Sequence, residues 1–408
     1  MVPSAPHLRR PCRGTRFSHL SSVMSTDPRS RAWLDLDGAA LRRNLDVLRS
    51  RLSPGTGILP MVKADAYGLG VEGVVRRLEG GDPWGWGVAT TAEGVRLREL
   101  GVRRPILVFT PPPPGDVEPA LQGDLVLCVS SGEGLEQVAE VAARTGRNGV
   151  VHLEIDTGMG RAGVPWRGVL ADPGRLRTAL SRAREAGVLW GGVFTHFHSA
   201  DEPGSPGVEE QSRRFRECLT ALEAPLAGPD FRVHLANSAS ALTGLPGWGD
   251  PVRPGIHLYG GSVGEGWSVE PVVHLRARVV HVRDADPGDT LGYGATHVAR
   301  GNERWATLAV GYGDGLPRAL GNRGRALLRG HHVPLVGRVS MDMTVVDVTH
   351  LPGPVPVRGE IATLLGRDGG GSIGLEEVAA QAGTISYEVL TGFTPRLPRL
   401  WMDEGDKA

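Results

Sequence analysis

Ile58-Leu59-Pro60-Met61-Val62-Lys63-Ala64-Asp65-Ala66-Tyr67-Gly68-Leu69-Gly70 reads as a short apolar strand that ends at an amine and runs into a turn of small residues. The amine stands out because the chain has two lysines, Lys63 and Lys407, and the other 43 of its 45 basic residues are arginine. Arginine keeps its proton at any accessible pH, whereas a desolvated lysine can lose its proton, attack a carbonyl and form an imine. A lysine kept at the end of a buried strand, in a chain that gives almost every other cationic role to arginine, points to amine chemistry.

Around this strand the pattern alternates from Trp33 to about Tyr259. Strand-like runs fall at 58–63, 85–89, 105–109, 124–129, 150–155, 191–196 and 231–236, with a weaker one before Arg253 that Pro251 interrupts. Amphipathic helices lie between most of them. Glu133 to Arg144 carries Leu135 and Val138 on one face, and Val208 to Leu226 carries Phe215, Leu219 and Leu222. Ahead of the first run, Asp37 can cap a helix bearing Leu41, Leu45, Leu48 and Leu52. Strands alternating with helices pair in parallel, and eight such units close a barrel.

After about Glu270 the texture changes. Residues 271–282 alternate with period two, and further β-like runs follow at 305–310, 325–328, 333–337, 343–348 and 360–365, with helical periodicity returning at Leu375 to Ala382. The expected fold is therefore α/β: a TIM-type (β/α)8 barrel over residues 31–268, then a mostly β C-terminal domain over 269–408. Residues 1–30 hold Arg9, Arg10, Arg13 and Arg16 with no acid before Asp27 and no apolar core for a secretory signal. They are expected to be a disordered extension, with Met24 the true start.

A chain of 408 residues has room for both domains. Its basic and acidic residues balance at 45 each, so no net field favours nucleic acid or an acidic membrane surface. No apolar run is long enough to span a bilayer. Cys12, Cys128 and Cys218 are odd in number and lack metal-ligand spacing, which points to a reducing, cytoplasmic setting. Small-molecule chemistry is the default.

In a barrel of this kind the active site lies beyond the carboxyl ends of the strands. Lys63 follows the first strand, Arg161 the fifth, His196 ends the sixth, Asn237-Ser238 follow the seventh, and Arg253 with Gly255-Ile256 follows the eighth. One face collects them, so they are expected to share one pocket. A rival from another class uses His196-Phe197-His198, two histidines at i, i+2 on a barrel strand, as metal ligands with Lys63 carbamylated as the bridging ligand. No second histidine pair or acidic set completes that site, and the expectation is no metal.

Met61-Val62-Lys63-Ala64-Asp65-Ala66-Tyr67-Gly68 resembles the pyridoxal-phosphate lysine motif of bacterial alanine racemases, and the resemblance runs on through most of the chain. Asp156 to Arg161, Thr195-His196-Phe197, Ala236-Asn237-Ser238 and Arg253-Pro254-Gly255-Ile256 match in the first part. Gly292-Tyr293-Gly294-Ala295-Thr296, Gly311 to Gly315, Gly337 to Asp342 and Ile385-Ser386-Tyr387-Glu388 match in the second. The resemblance implies interconversion of L- and D-alanine, supplying D-alanine for peptidoglycan, with pyridoxal 5'-phosphate as cofactor. Lys63 and Tyr293 would be the two bases, and Tyr293 would come from the other subunit of a homodimer. It further implies that Tyr67, Asn237, Ser238, Gly255, Ile256 and Tyr387 hold the cofactor, chiefly at its phosphate. His196 and Arg253 would form a network of positive charge that helps Tyr293 to work at neutral pH, Arg253 would also face the pyridine nitrogen, and Arg161 and the partner's Met341 backbone would bind the substrate carboxylate. Asp342 is a supporting residue.

Many relatives carry a carbamylated lysine where this chain has Glu154. The expectation is that Glu154 supplies the negative charge directly, through a longer contact to Arg161. A racemase of broader range, taking serine, is the nearer alternative. Related decarboxylases with an acidic residue at the ring nitrogen are disfavoured by Arg253. A catalytically silent pyridoxal-phosphate carrier lacks the second domain.

Overall fold

The computed structural model describes residues 27–402, apart from 203, 225–229, 244–248, 265, 266 and 268. Residues 1–26 of the expected extension lie outside the described residues, while 27–30 begin a turn in which Asp27 accepts the Arg29 N–H.

Six parallel strands stand side by side in chain order: Trp86–Val88, Ile106–Val108, Val126–Val129, Gly149–Asp156, Val188–Phe194 and Arg232–His234. The first three are apolar and buried throughout, as strands covered on both faces must be, while Gly149–Asp156 and Arg232–His234 carry the polar residues His152, Glu154, Asp156, Arg232 and His234. Two irregular segments close the ring. Val252 bridges Ile58 and Met61 bridges Gly87, both in parallel. Around those bridges, Arg253 N–H donates to Ala236 O (2.9 Å), Leu59 N–H to Val252 O (2.8 Å) and Gly87 N–H to Pro60 O (2.9 Å).

All eight expected positions are thus filled, but the first and last are not regular strands. Pro60, Pro251 and Pro254 lack the N–H groups that a full ladder needs. Lys63 does not sit on a strand at all: it opens the five-residue turn Lys63–Tyr67. Helices Thr91–Glu99, Val117–Gln122, Gly132–Thr145, Pro173–Glu185 and Gly207–Ala221 return the chain along the outside. The last of these stops short of the expected 226, where Glu223 takes a left-handed φ of 51°.

The second domain is a nine-stranded sheet that curls on itself. Val273–Ala285, thirteen residues long, pairs with Glu303–Leu308, with Ile361–Asp368 and with Ala32–Asp37. Leu275, Ala277 and Val279 point inward from it, as the period-two pattern required. Ala32–Asp37, expected to belong with the barrel, lies here instead, antiparallel to Val273–Ala285 and parallel to the last strand, Arg399–Met402. Leu34 and Leu36 are fully buried there. Each such leucine stabilises the fold by about 1.5–3 kcal/mol relative to exposure, which outweighs chain proximity to the barrel. The barrel is entered only at the helix Gly38–Arg49, capped as expected by Asp37, whose carboxylate accepts the Ala40 N–H at 2.8 Å.

Candidate active site

Lys63 is followed by four residues in left-handed conformation: Ala64, Asp65, Ala66 and Tyr67, with φ of 52°, 52°, 53° and 57°. For residues with a Cβ this region costs about 1–2 kcal/mol each, and consecutive instances are rare. The turn persists because its surroundings hold it. Glu93 accepts the N–H of Ala64 (2.7 Å) through one oxygen and of Ala89 (2.7 Å) through the other. Asp65 accepts the Val71 N–H (2.8 Å), and Gly68 N–H donates to Ala64 O (2.8 Å). Gly68 itself has φ 83° and meets Leu390 of the second domain, whose carbonyl oxygen would lie 2.5 Å from an added Cβ.

The turn delivers Lys63 into a mostly buried, cationic place. Burial lowers the lysine pKa first, and the Arg161 charge lowers it further, against Glu93. His196 is pushed down to about 3 by burial and by the charges of Arg253, Arg161 and Lys63. Arg253, 4% exposed, drops to about 10 through burial. Its guanidinium donates to Thr195 O (2.9 Å) and Leu235 O (3.0 Å), to Nδ1 of His234 (3.0 Å) and, more weakly, to Nδ1 of His196 (3.4 Å). The charges of Lys63, Arg161 and Arg253 all bear on His196, and a place of such positive potential favours an anionic occupant.

Against the Met61–Tyr67 segment that carries Lys63 lies a cradle of small and phenolic groups. Ser238 Oγ accepts the Gly255 N–H at 2.8 Å, and a Cβ on Gly255 would fall 2.3 Å from Tyr67 Oη. Tyr67 stacks on Tyr259 (4.6 Å between centroids) and leans on Tyr387 (6.0 Å). Tyr259 Oη donates to Met61 O at 2.7 Å, tying this aromatic cluster to the segment before the lysine. Ile256 is buried beside Gly255. Asn237, expected on the cofactor, uses its side-chain oxygen to cap the helix Ser238–Leu242, accepting from Ser240 N–H at 3.1 Å. A hydroxyl, a phenol and a backbone approach only glycine allows form a set suited to a phosphate.

Glu154, 5% exposed, accepts from Ser130 Oγ at 3.1 Å. Burial raises its pKa, and Ser130, Arg161 and Arg253 pull it back. Its link to exposed Arg161 is one of field, since among the described residues no ion pair joins the two. Tyr293 and Met341 are not brought to Lys63 within the chain. Tyr293 is 71% exposed in a short turn of the second domain, and its phenol makes no hydrogen bond among the described residues; Met341 is 52% exposed. Asp342 pairs with Arg396 at 2.6 Å.

His198, the rival metal ligand, bonds to Ser199 Oγ (2.6 Å). Among the described residues no group of three or more His, Cys, Asp or Glu could hold a metal, and no helix is long and apolar enough to cross a membrane. Sequence reading passed over Glu93, His234, His152, Tyr259 and Arg399. Only Glu93 carried a local signal, the Thr90-x-x-Glu93 capping box.

A barrel with a buried amine and an anion cradle at its carboxyl end, joined to a β domain that leans on the lysine turn, is the architecture of a pyridoxal-type lysine enzyme. Models of the alanine racemase N-terminal domain and C-terminal domain match residues 36–263 and 272–401. The alanine racemase of Symbiobacterium thermophilum is 38% identical over 93% of this chain and 100% of its own. Among solved structures, alanine racemase from Streptomyces coelicolor A3(2) aligns with a TM-score of 0.84 at 35% identity, covering 93% of this chain and 100% of that one. The Bartonella henselae alanine racemase with covalently bound pyridoxal phosphate aligns with 0.80 at 26%, covering 91% and 100%. The chain belongs to the alanine racemase family.

Proposed function

We propose that the chain interconverts L- and D-alanine with pyridoxal 5'-phosphate held through Lys63 Nζ, and that two copies are needed to do so. The observation that carries the reading is the desolvated Lys63 at the head of the turn whose last residue, Tyr67, closes the Ser238–Gly255 cradle. Tyr67, Ser238, Gly255, Ile256 and Tyr387 would hold the phosphate, and Arg253 would serve the ring. When bound, the cofactor supplies a conjugated system that delocalises the electron pair left by a broken Cα–H bond.

The protein's own groups do the rest. Lys63, whose proton affinity is lowered by burial and by Arg161, moves a proton at one face of Cα. Racemisation needs a second base on the opposite face, which one amine cannot reach. Tyr293 of a second subunit fits that role because in the single chain it is exposed and makes no hydrogen bond among the described residues, and Tyr312, Met341 and Met343 of the same domain are exposed too. Arg161 binds the substrate carboxylate as a charge-assisted donor, with Glu154 steadying it by its field. Arg253 offers only N–H groups, so it cannot protonate a ring nitrogen in the way a carboxylic acid would.

The division near residues 268/269, a cytoplasmic setting consistent with free, buried Cys128 and Cys218, and a role in providing D-alanine for peptidoglycan belong to the same proposal. The test is exchange of the Cα hydrogen with deuterated water, starting from each alanine enantiomer and from serine, with dimerisation followed by sedimentation. Both enantiomers should exchange and interconvert, and Tyr293→Phe should suppress exchange from one enantiomer far more than from the other. Absence of interconversion in the cofactor-loaded protein would sink the reading.

A further inference from the structure

Two charged side chains grip the backbone of the lysine turn, one from each domain. Glu93, in the barrel, takes the Ala64 N–H at its start. Arg399, on the last strand of the second domain, donates from Nε and Nη2 to Gly68 O at its end, at 3.1 and 2.9 Å. The remaining guanidinium bonds go to Phe393 O (2.9 Å), Thr394 O (2.6 Å) and Leu397 O (2.7 Å), so the head group is fixed on its own side before it reaches across. The docking continues past the turn. Arg77 lies over the Trp401 indole at 4.1 Å, and that ring occupies the space a side chain at Gly73 would need.

We propose that Arg399 is a positioning residue for Lys63: by holding the Gly68 carbonyl it locks the left-handed turn, so that presentation of the amine depends on the second domain being docked. Four consecutive left-handed residues are intrinsically disfavoured, and a turn released at one end has a right-handed path open to it. That path would re-aim the residue at the head of the turn, which is Lys63. A planar guanidinium can place two N–H groups on one carbonyl while its remaining N–H groups satisfy three more; a lysine ammonium cannot reproduce that fork. The proposal rests on the reading of Lys63 as the cofactor-holding amine, but its first test does not need that reading.

Hydrogen exchange followed by mass spectrometry on the full-length chain, comparing the wild type with Arg399→Lys and Arg399→Met, is that test. Amides of residues 66–71 should exchange roughly ten- to hundredfold faster in the variants, the factor expected from losing a charge-assisted hydrogen bond, while Val273–Ala285 keeps its protection. Affinity for added pyridoxal 5'-phosphate, read by absorbance, should fall by a similar factor, less in the lysine variant than in the methionine one. Should the methionine variant not fold, the lysine variant, which keeps the stem and charge, decides the matter. Unchanged protection at 66–71, acceleration spread equally over Val273–Ala285, or unchanged cofactor affinity would overturn the proposal. Failure of the Lys63 reading is told apart by a wild type that binds no cofactor while the exchange contrast remains.

Discussion

Arg253 donates from Nη1 to Nδ1 of His234 at 3.0 Å, and that bond sets the protonation of two buried imidazoles. Arginine has no acceptor, so His234 Nδ1 is bare and Nε2 carries the proton. Nε2 lies 2.8 Å from His152 Nδ1, which must then accept, leaving the His152 proton on its own Nε2. A chain of one cation and two neutral rings thus runs through the middle of the barrel.

Acid should dismantle this chain. Burial and arginine charges push His152 and His196 down to about 3 and His234 well below its ordinary value. Below about pH 6.5 the unfolded chain binds protons that the folded chain refuses, so stability is full above that pH and falls toward pH 3. The loss is roughly 1.4 kcal/mol per pH unit for each such histidine. Urea midpoints between pH 7 and pH 4 measure it, and a flat profile would contradict the assignment. Nitrogen NMR should find no titration of His152 or His234 between pH 5 and 8.

Replacing Lys63 by Arg keeps a cation in place but removes the only lysine amine among the described residues. Cofactor should no longer be retained covalently after borohydride treatment, and racemisation should fall by about a thousandfold or more. Retention of both in the variant would end the case for this residue.

Glu154 couples to Arg161 through the field rather than through a direct pair. Removing its charge in Glu154→Gln should lower kcat/KM for alanine by roughly tenfold, with most of the change in KM if Arg161 holds the substrate carboxylate. Wild-type activity should be the same in buffer stripped of carbon dioxide. Sensitivity to bicarbonate would show that the charge comes from elsewhere.

Gly255→Ala places a methyl group 2.3 Å from Tyr67 Oη, closer than any relaxed contact. Because Tyr67 is wedged between Tyr259 and Tyr387, it has little freedom to give way. A destabilisation of about 1–3 kcal/mol is expected, together with weaker cofactor binding. An alanine variant with unchanged melting temperature and cofactor affinity would mean that the cradle is looser than it looks.

The barrel was legible wherever apolar runs alternated with helical periodicity, because burial on both faces leaves that signature in composition. The segments at 58–62 and 252–254 were readable as strand positions but not as irregular ones. Their proline content spoiled the ladder without changing their hydrophobicity. Lys63, His196 and Ser238 could be found because they sit just past strands. Arg399 and His234 could not, since what makes them matter is a carbonyl or a ring contributed from far away in the chain. Asn237 shows how a residue type suited to a ligand also meets a local need, the capping of a helix, so that its type alone does not tell the two uses apart. The left-handed turn after Lys63 had no signature in its small residues, since Ala-Asp-Ala is equally at home in an ordinary helix.

The strand Ala32–Asp37 lies between Val273–Ala285 and Arg399–Met402. During synthesis it leaves the ribosome before the barrel, yet its neighbours follow only after the whole barrel has been made. Folding of the β domain is therefore deferred, with an unpaired apolar segment waiting for partners that are made last. Loop closure over such a separation is slow, so this segment is where chaperone capture or misassembly would begin. A circular permutant that moves residues 32–37 behind residue 402 should refold faster than the native order.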